Sequence, residues 1–578
     1  MTIRYSAPWH KASFDAFLND SLPRLLAEYI PLAGYAVEAT GPYTCQIQLT
    51  FITEEHEAEL TYTDLPQPDE DGIFQIKGQP IVVVPRATDD DLENTEIFCV
   101  GEQLYEYIQK RIGKAPDDLS WHSELARAWL PLDQWIDEFF DYRNKDSWAT
   151  YVQPLDQTNW LARQSHLRRV SIQNRQRLFT PGHFGRACPF ETPEGPNIGR
   201  IFPIALGAEI KNGKLVIVDE SPEASLGLGA AMIPLLEHNE PVRLLMGTNM
   251  LRQWIVPEIP EPALVQSGNE PGTPDFWCGR NLLTAFISWN EDTYEDGIVL
   301  SESCAQRLCY NQPVEPGDKM SNRHGTKGVV SRILPDEEMP HLADGTPVEL
   351  VFNFISLHAR SNFGQIREAV LSRIARAKGQ AMIIPPFQAP DGQQIRTWLA
   401  QTGLPEDGME ILTLGRNGKQ LARRATVGEV YWGRLFHVAR EKLYVPTDNK
   451  DAQLLNEYDY YALCEAGAFN TILELFNAGT TNSDDSNTCA EQVAMGGIEQ
   501  AEAPSPQFSL LMKNLAVAGI QVELNENRLS FRLQEPPGTT LSLAQPIAHP
   551  WLRNHTLTRI GVCEELPEYH ALLNANTR

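Results

Sequence analysis

The chain has 578 residues, of which 42% are hydrophobic, so it can form several domains with buried cores. A formal net charge of −28 excludes nucleic-acid binding by bulk positive charge, so any such surface must concentrate Lys and Arg locally. The nine cysteines form no CxxC pair, which disfavours zinc sites and disulfide frameworks. The N-terminus lacks the apolar region of a secretory signal, and no apolar run could cross a bilayer. We therefore expect a soluble, cytoplasmic protein without a membrane partner.

The N-terminal region should combine helices with half-buried strands. A helix is predicted over residues 14–30 (FDAFLNDSLPRLLAEYI), with an interruption at Pro23. Residues 44–64 alternate apolar and polar side chains, as half-buried strands do. Residues 73–85 (IFQIKGQPIVVVP) predict a hairpin that turns at Lys77-Gly78.

From about residue 150 the sequence pattern changes. Short strands, Gly/Pro turns and basic clusters alternate up to about residue 450. Residues 454–477 predict a helix, and residues 506–532 predict a helix followed by a hairpin.

A loop at residues 317–328 (GDKMSNRHGTKG) concentrates positive charge between glycines. Lys319, Arg323 and Lys327 are permanent cations, and glycine lets a backbone approach a ligand closely. One interpretation is a cradle for the phosphates of a nucleotide or an RNA end. The alternative is a solvated basic turn.

A second segment, residues 289–302 (WNEDTYEDGIVLSE), places Glu295 and Asp296 directly before an apolar strand. Adjacent carboxylates at a strand start could approach a Mg²⁺ that a nucleotide carries. The alternative is an ordinary acidic turn. In residues 352–368, Arg360 offers a planar fork suited to phosphate oxygens, or to a surface ion pair.

A proline-rich loop is predicted at residues 183–200 (HFGRACPFETPEGPNIGR), because such a run suits neither a helix nor a central strand. A basic cluster lies around its start, and in so acidic a chain it suggests phosphate contact, with salt bridges to local acids as the alternative. The cluster consists of Arg163, His166, Arg168, Arg169, Arg175, Arg177 and Arg186.

Several long motifs, in the same order, resemble the β (second-largest) subunits of bacterial-type multisubunit DNA-directed RNA polymerases. Residues 317–328 are similar to the family's GDKMAGRHGNKG, and residues 183–199 are similar to its HYGRVCPIETPEGPNIG. Further similar stretches are 225–253, 289–302 and 344–365, with weaker similarity at 69–85, 156–171, 426–437 and 456–474.

The resemblance implies a mixed α+β, multidomain fold whose β-rich core contains a double-psi β-barrel. It implies that Lys319 and Lys327 act as catalytic residues, reaching the nucleotide phosphates and the RNA 3′ end. The residues expected to bind the substrate triphosphate and its Mg²⁺ are Arg243, Arg360, Glu295 and Asp296. The residues expected to bind nucleic acid are His166, Arg168, Arg169, Arg177, Arg323 and His437.

The family holds its catalytic Mg²⁺ with an Asp motif, NADFDGD, on a β′-type partner, and this chain has no such motif. No metal is therefore expected to be held by this chain alone. The expected enzyme is a nucleotidyltransferase complex in which the chain meets a β′-type subunit, DNA template, RNA and nucleoside triphosphates, with α-type subunits as further candidate partners. The chain alone is expected to be inactive.

The chain also departs from the family. Only residues 297–316 separate the Glu295-Asp296 motif from Gly317, where the family has a large flap domain. Residues 86–150 are too few for the usual lobe, and Ile172-Gln173-Asn174 replaces a Gly-rich stretch of the fork loop. A second hypothesis is therefore a non-catalytic β mimic that binds polymerase subunits or nucleic acid as a regulator. The acidic charge and the missing flap favour it.

The expected domain order follows from the same resemblance. Residues 1–150 form a reduced protrusion or N-terminal region, and residues 151–300 form a fork and substrate-side region. Residues 301–450 contain the barrel and a hybrid-binding region. Residues 451–533 form a helical, clamp-like region, and residues 534–578 form a tail.

Overall fold

The computed structural model describes residues 5–52, 57–113, 123–143, 150–172, 179–415, 418–439 and 457–468, the strand pair 520–525 and 528–533, and the single residues 471 and 515. Arg177, the tail at 534–578 and residues 454–456, 469–470 and 472–477 of the helix predicted at 454–477 lie outside the described residues. Of that helix, Glu457–Glu465 is described and is helical.

The described helices are α1 (Trp9–Ala16), α2 (Leu22–Tyr29), α3 (Val100–Gln109), α4 (Ser123–Trp129), α5 (Leu132–Phe140), α6 (Trp160–Leu167), α7 (Leu228–Ala231), α8 (Pro241–Leu251), α9 (Glu302–Arg307), α10 (Phe354–Arg360), α11 (Gly364–Lys378), α12 (Gly392–Gln401) and α13 (Glu457–Glu465). A π turn spans Phe17–Ser21, and 3₁₀ turns span Pro181–His183, Glu223–Ser225, Leu236–His238, Pro274–Phe276 and Asn290–Asp296.

The described strands are β1 (Leu32–Ala39), β2 (Thr44–Ile52), β3 (Glu57–Pro66), β4 (Phe74–Ile76), β5 (Gln79–Val83), β6 (Arg86–Ala87), β7 (Ile97–Phe98), β8 (Val152–Pro154), β9 (Arg169–Ser171), β10 (Ile201–Pro203), β11 (Ala208–Lys211), β12 (Lys214–Ile217), β13 (Val265–Gln266), β14 (Arg280–Phe286), β15 (Gly297–Ser301), β16 (Lys319–Asn322), β17 (Lys327–Leu334), β18 (Pro340–His341), β19 (Leu350–Phe352), β20 (Met382–Ile383), β21 (Met409–Glu410), β22 (Thr413–Leu414), β23 (Ala425–Arg434), β24 (Ile520–Asn525) and β25 (Arg528–Leu533).

The N-terminal helical segment shows how the chain accommodates a proline. The regular α-helix is interrupted, as predicted, but the chain stays helical through the π turn between α1 and α2. Leu22 N–H donates to Phe17 O, five residues back, so Pro23 enters the first turn of α2, where its missing N–H costs little.

The predicted hairpin at residues 73–85 is confirmed. Strands β4 and β5 pair antiparallel, with Phe74 opposite Ile81 and Ile76 opposite Gln79. Lys77 and Gly78 both have positive φ, at 51° and 79°, which is the turn geometry that matches the twist of a two-residue hairpin.

A closed β-barrel forms the centre of the chain. Its strands follow the order β14-β19-β15-β17-β16-β23, and an antiparallel pairing of β23 with β14 closes the ring of six. Two neighbouring pairs, β14–β19 and β15–β17, are parallel, and the other four are antiparallel. Closure satisfies the edge hydrogen bonds and gives the chain a rigid platform.

Strand β15 shows how the barrel is packed. Its five residues are all buried, which explains its continuous apolar run. Ile298 and Leu300 belong to one hydrophobic cluster, and Val299 belongs to another, because successive side chains point to opposite faces of a strand. The strand begins directly after Asp296, as the sequence predicts, and α9 with a short loop connects it to β16.

Candidate active site

The two lysines of the central motif lie on neighbouring antiparallel strands. Lys319 begins β16 and Lys327 begins β17, with Ser321 directly opposite Lys327. Lys319 and Ser321 share a strand face, so the two lysines are diagonal neighbours on one face, roughly 7–8 Å apart. Both are half-buried. In the described residues, Lys327 has no carboxylate within ion-pair distance.

A four-residue turn joins the lysine strands and contacts helix α8. Gly325 has a φ of +80°, and a Cβ there would lie 2.1 Å from the carbonyl oxygen of Arg243. A Cβ on Gly247 would lie 2.5 Å from the carbonyl oxygen of Arg323. Glycine at both positions therefore allows the backbone of α8 to touch the turn, which brings Arg243 beside it.

The guanidinium of Arg243 is largely engaged within its own helix. Its Nη1 lies 3.1 Å from Met246 Sδ, and its Nε lies 3.8 Å from Glu240 Oε2. The side chain is 22% exposed, so part of it remains open to a ligand.

Asp296 and Arg360 form an ion pair on the other side of the turn. Both Asp296 oxygens accept from Arg360, with Nη2 at 2.8 Å from Oδ2. A Cβ on Gly328 would lie 2.2 Å from the Asp296 carbonyl oxygen, so the pair is adjacent to Lys327. The backbone N–H of Glu240 donates to Ser361 O at 3.2 Å, which joins the Arg360 segment to the start of α8.

Four separate stretches therefore meet around one turn. Lys327, Arg243, Arg360 and Asp296 lie beside it, and Lys319 lies four residues before it, diagonally across the hairpin from Lys327. The side chain of Glu295 is outside the described residues.

The predicted nucleic-acid residues have different surroundings. Arg168 is 1% exposed, donates to the carbonyl oxygens of Ala205 and Ala208, and stacks over Trp9. His166 is buried, and its Nδ1 accepts from the backbone N–H of Asp156. These placements argue against direct contact with a ligand, because the polar atoms of both residues already serve the fold.

Arg323 is also buried, at 3% exposure, and donates to Glu368 Oε1 at 2.5 Å and to Val265 O at 2.8 Å. This argues against direct phosphate contact by Arg323. Val265 and Glu368, which accept from Arg323, lie far from it in the sequence. The sequence shows only that Arg323 is close to the two lysines, which suggested a ligand contact. Its burial in the structure disfavours that contact.

Arg169 and His437 are the two described candidates that retain exposure. Arg169 begins β9 and is half-buried, and burial together with the charge of Arg252 lowers its pKa to about 10. His437 is half-buried and lies two residues after Leu435, whose N–H donates to Lys319 O at 2.9 Å. His437 is therefore near Lys319, at the start of β16. Arg169 lies near the C-terminal end of α8, beside Arg252.

Sequence reasoning missed the residues that hold the turn. They are Asn239, Asn322, Thr326, Asn362, Gln365 and Glu368, all buried and hydrogen-bonded to one another or to the turn. The available signal was a run of polar residues at the start of α11, where a surface helix would place apolar ones on its buried face.

The described residues offer few ligands for the expected Mg²⁺. They contain no group of three or more His, Cys, Asp and Glu side chains that could hold a metal ion. Both oxygens of Asp296 accept from Arg360. Asp296 could therefore bind a nucleotide-borne metal through its carboxylate if the metal displaced Arg360. The residues thus fit a supporting contact and not a complete metal site.

No helix in the described ranges combines the length and the apolar character needed to span a membrane. The seven described cysteines all have free thiols; they are Cys45, Cys99, Cys188, Cys278, Cys304, Cys309 and Cys464.

Two stretches of the chain match models of RNA polymerase domains. Residues 153–210 match the family model for RNA polymerase Rpb2, domain 3, and residues 307–452 match that for RNA polymerase Rpb2, domain 6. The second match contains β16, β17 and the turn between them.

Similar curated proteins are named DNA-directed RNA polymerase subunit beta. The protein of Chloroflexus aggregans is 35% identical over 235 residues, covering 38% of this chain and 19% of the relative. That of Methylacidiphilum infernorum is 32% identical over 283 residues, covering 46% and 22%. That of Streptococcus thermophilus is 27% identical over 391 residues, covering 64% and 31%.

The matched part thus spans between about a fifth and a third of the length of these relatives. The second family-model match includes β16, β17, the turn between them and helices α10 and α11, whereas α8 lies between the two matched ranges. The matched stretches of this chain are therefore similar to the β (second-largest) subunits of bacterial-type DNA-directed RNA polymerases.

Proposed function

We propose that this chain is a shortened β-type subunit of a DNA-dependent RNA polymerase, contributing triphosphate- and nucleic-acid-binding residues to a nucleotidyl-transfer site that a β′-type partner completes. The observation that carries the proposal is that Lys319, Lys327, Arg243 and Arg360, from separate stretches of sequence, all lie on or beside the hairpin of β16 and β17.

The electrostatics support this assignment. Phosphoryl transfer is catalysed mainly by positioning the reactants and by neutralising charge on the transferring phosphates. Lys327 is a half-buried cation without an ion-pair partner among the described residues, in a chain whose net charge is −28. Such a group is well placed to receive a phosphate oxygen, and the nearby guanidinium of Arg360 would act beside it.

In this proposal the six-stranded barrel is a double-psi barrel, supported by its closure and its two parallel strand pairs. The catalytic Mg²⁺ is held mainly by the β′-type partner and supplies Lewis-acid chemistry to the transferring phosphate. Glu295 and Asp296 lie beside the nucleotide-borne metal, while Arg169, Arg177 and His437 approach DNA or RNA. The complex works in the cytoplasm, with α-type subunits as candidate further partners.

The test is primer extension by the complex of this chain with a β′-type subunit. We expect Lys327→Ala and Lys319→Ala each to lower kcat/KM for the incoming nucleotide by about 10²-fold, because each removes a cation from the transferring phosphates. Lys214→Ala is the matched control, because Lys214 is exposed on β12, in a separate hairpin.

The regulator hypothesis predicts the opposite result. If a complex containing this chain extends RNA equally well with Lys319→Ala, Lys327→Ala and Lys214→Ala, the proposed active site is wrong. A chain that binds polymerase subunits but supports no extension with any β′-type partner would favour the regulator.

A further inference from the structure

A buried carboxylate lies behind the turn that joins the lysine strands. Glu368, in the second turn of α11, is 1% exposed. Its Oε1 accepts from Arg323 Nη2 at 2.5 Å and from the backbone N–H of Tyr431 at 3.2 Å, and its Oε2 lies 2.6 Å from His324 Nε2. One side chain therefore connects α11, the turn and strand β23.

The direction of the histidine contact follows from its other neighbour. His324 Nδ1 lies 3.2 Å from Asn239 Nδ2, and because an amide nitrogen only donates, Nδ1 accepts and Nε2–H donates to Glu368. Burial lowers the pKa of His324 more than Glu368 raises it, so the imidazole stays neutral. Asn239 in turn accepts from Gly364 N–H at 3.2 Å, which ties the network to the first residue of α11.

A second, neutral set of hydrogen bonds holds the same turn. Asn322 Oδ1 accepts from the backbone N–H of His324 at 3.0 Å, and its Nδ2 donates to Gln365 Oε1 at 2.8 Å. Gln365 Nε2 and Asn362 Nδ2 each donate to Thr326 Oγ1 at 2.7 Å. Residues at the start of α11 and just before it therefore form hydrogen bonds at both ends of the Arg323–Thr326 turn.

The positions of two residues proposed to bind the substrate depend on where this turn lies. Lys327 follows Thr326 directly, so the direction of its side chain is set by the end of the turn. Arg243 is placed by the backbone contact of α8 with Gly325. Displacing the turn would move both cations relative to the triphosphate.

We infer that Glu368 is a positioning residue for the triphosphate site, which holds the Arg323–Thr326 turn in place and so aims Lys327 without touching the substrate. The inference rests on the proposed function, because it needs Lys327 to bind a phosphate. In this inference the buried Arg323–Glu368 pair orients Lys327, and Arg323 does not itself bind phosphate. A misplacement of about 1 Å can cost about 10²-fold in rate, so a buried support can matter as much as a contact.

The test uses the chain assembled with its β′-type partner and measures kcat and KM for single-nucleotide addition. We expect Glu368→Gln to lower kcat/KM by about tenfold or more, because the amide cannot accept from both Arg323 and His324. Glu429→Gln is the matched control. Glu429 is also buried and also joins β23 to α11 away from the turn, accepting from Ser372 at 3.2 Å and from Arg376 at 3.0 Å, but the Arg376 side chain is 59% exposed whereas that of Arg323 is 4% exposed.

A double variant separates positioning from general destabilisation. If Glu368 acts mainly through Lys327, then Glu368→Gln should cause a smaller loss in a Lys327→Ala background than in the wild-type chain, and the loss that remains acts through Arg243. Gln365→Met provides a second route, because it removes two hydrogen bonds to the turn without leaving a buried charge unpaired. We expect it to lower kcat/KM by about three- to tenfold, and by less in the Lys327→Ala background.

The outcomes distinguish the two claims. If Lys327→Ala is impaired but the losses from Glu368→Gln and Gln365→Met add to it in full, the positioning role is wrong and the proposed function stands. The positioning role also fails if Glu368→Gln matches Glu429→Gln. If Lys327→Ala itself has no effect, both claims fail.

Discussion

At the scale of single residues, the cations near the site differ in what their donors already contact. Arg323 and Arg168 are buried and donate to carboxylate or carbonyl oxygens, so they stabilise the fold. Lys327 has no ion-pair partner among the described residues. Arg360 pairs with Asp296, which is partly exposed, so a ligand could displace that pair. Charge alone does not separate these classes, but burial does, because a buried guanidinium must use its donors within the protein.

Gly325 allows a direct prediction. Gly325→Ala should lower the free energy of unfolding by about 3 kcal/mol, because a Cβ at φ +80° would overlap the Arg243 carbonyl oxygen at 2.1 Å. Gly345→Ala is the control, since Gly345 has a φ of +84° with nothing within 4 Å, and should cost only about 1 kcal/mol. Urea unfolding measures both. If the two variants lose the same free energy of unfolding, the backbone of α8 does not contact the turn as closely as described.

At the scale of elements, the start of α6 is attached to the end of α8. Asn159 caps α6, with Oδ1 accepting from Ala162 N–H at 2.8 Å, and its Nδ2 donates to the carbonyl oxygens of Leu251 and Trp254, each at 2.9 Å. This links the helix that precedes Arg169 to the helix that carries Arg243. Both helices therefore depend on one buried amide.

Asn159→Ala should destabilise the chain by about 2–3 kcal/mol, since it removes a cap and leaves two buried carbonyl oxygens without their donor. Asp391→Ala removes a cap of similar geometry at the exposed start of α12, where Asp391 accepts from Gln394 N–H at 2.8 Å, and should cost about 1 kcal/mol. Thermal unfolding monitored by circular dichroism compares them. A loss at Asn159 no greater than that at Asp391 would contradict the inter-helix attachment.

At the scale of the whole molecule, several histidines are buried in the neutral form. Burial lowers the pKa of His10 to about 4, and it also lowers the pKa values of His166 and His324. The unfolded chain has ordinary histidine pKa values near 6.5, so it binds more protons than the folded chain below that pH. Stability should therefore fall as the pH drops below about 6.5.

His10 alone should account for about 2 kcal/mol of the loss between pH 7 and pH 5. His10→Gln keeps a donor for the Leu167 carbonyl oxygen, which accepts from His10 Nε2 at 2.8 Å, but it cannot titrate. The pH dependence of the unfolding free energy should be shallower by that amount in this variant. Identical pH profiles for the two proteins would show that His10 is not buried in its neutral form.

Local patterns were sufficient for several elements. The Lys77-Gly78 hairpin, the strand that begins after Asp296 and the proline-rich loop at 183–200 were all predicted, because each depends on residues within a few positions of one another. The ordered motifs also predicted the similarity to RNA polymerase β subunits that the comparisons found. The helix predicted at 454–477 is confirmed over Glu457–Glu465, but a turn follows at 466–467, where Gly467 has a φ of +66°.

The sequence by itself determined these local elements, the stock of cations and carboxylates, and the order of the motifs. Only the tertiary structure decided which groups meet: Arg360 pairs with Asp296 across 64 residues, Arg323 pairs with Glu368 across 45, and Arg168 is buried where a ligand contact was predicted. Such partners depend on how distant strands and helices pack around the closed barrel. Hydrophobic spacing encodes which face of an element is buried, but not which polar group lies opposite it.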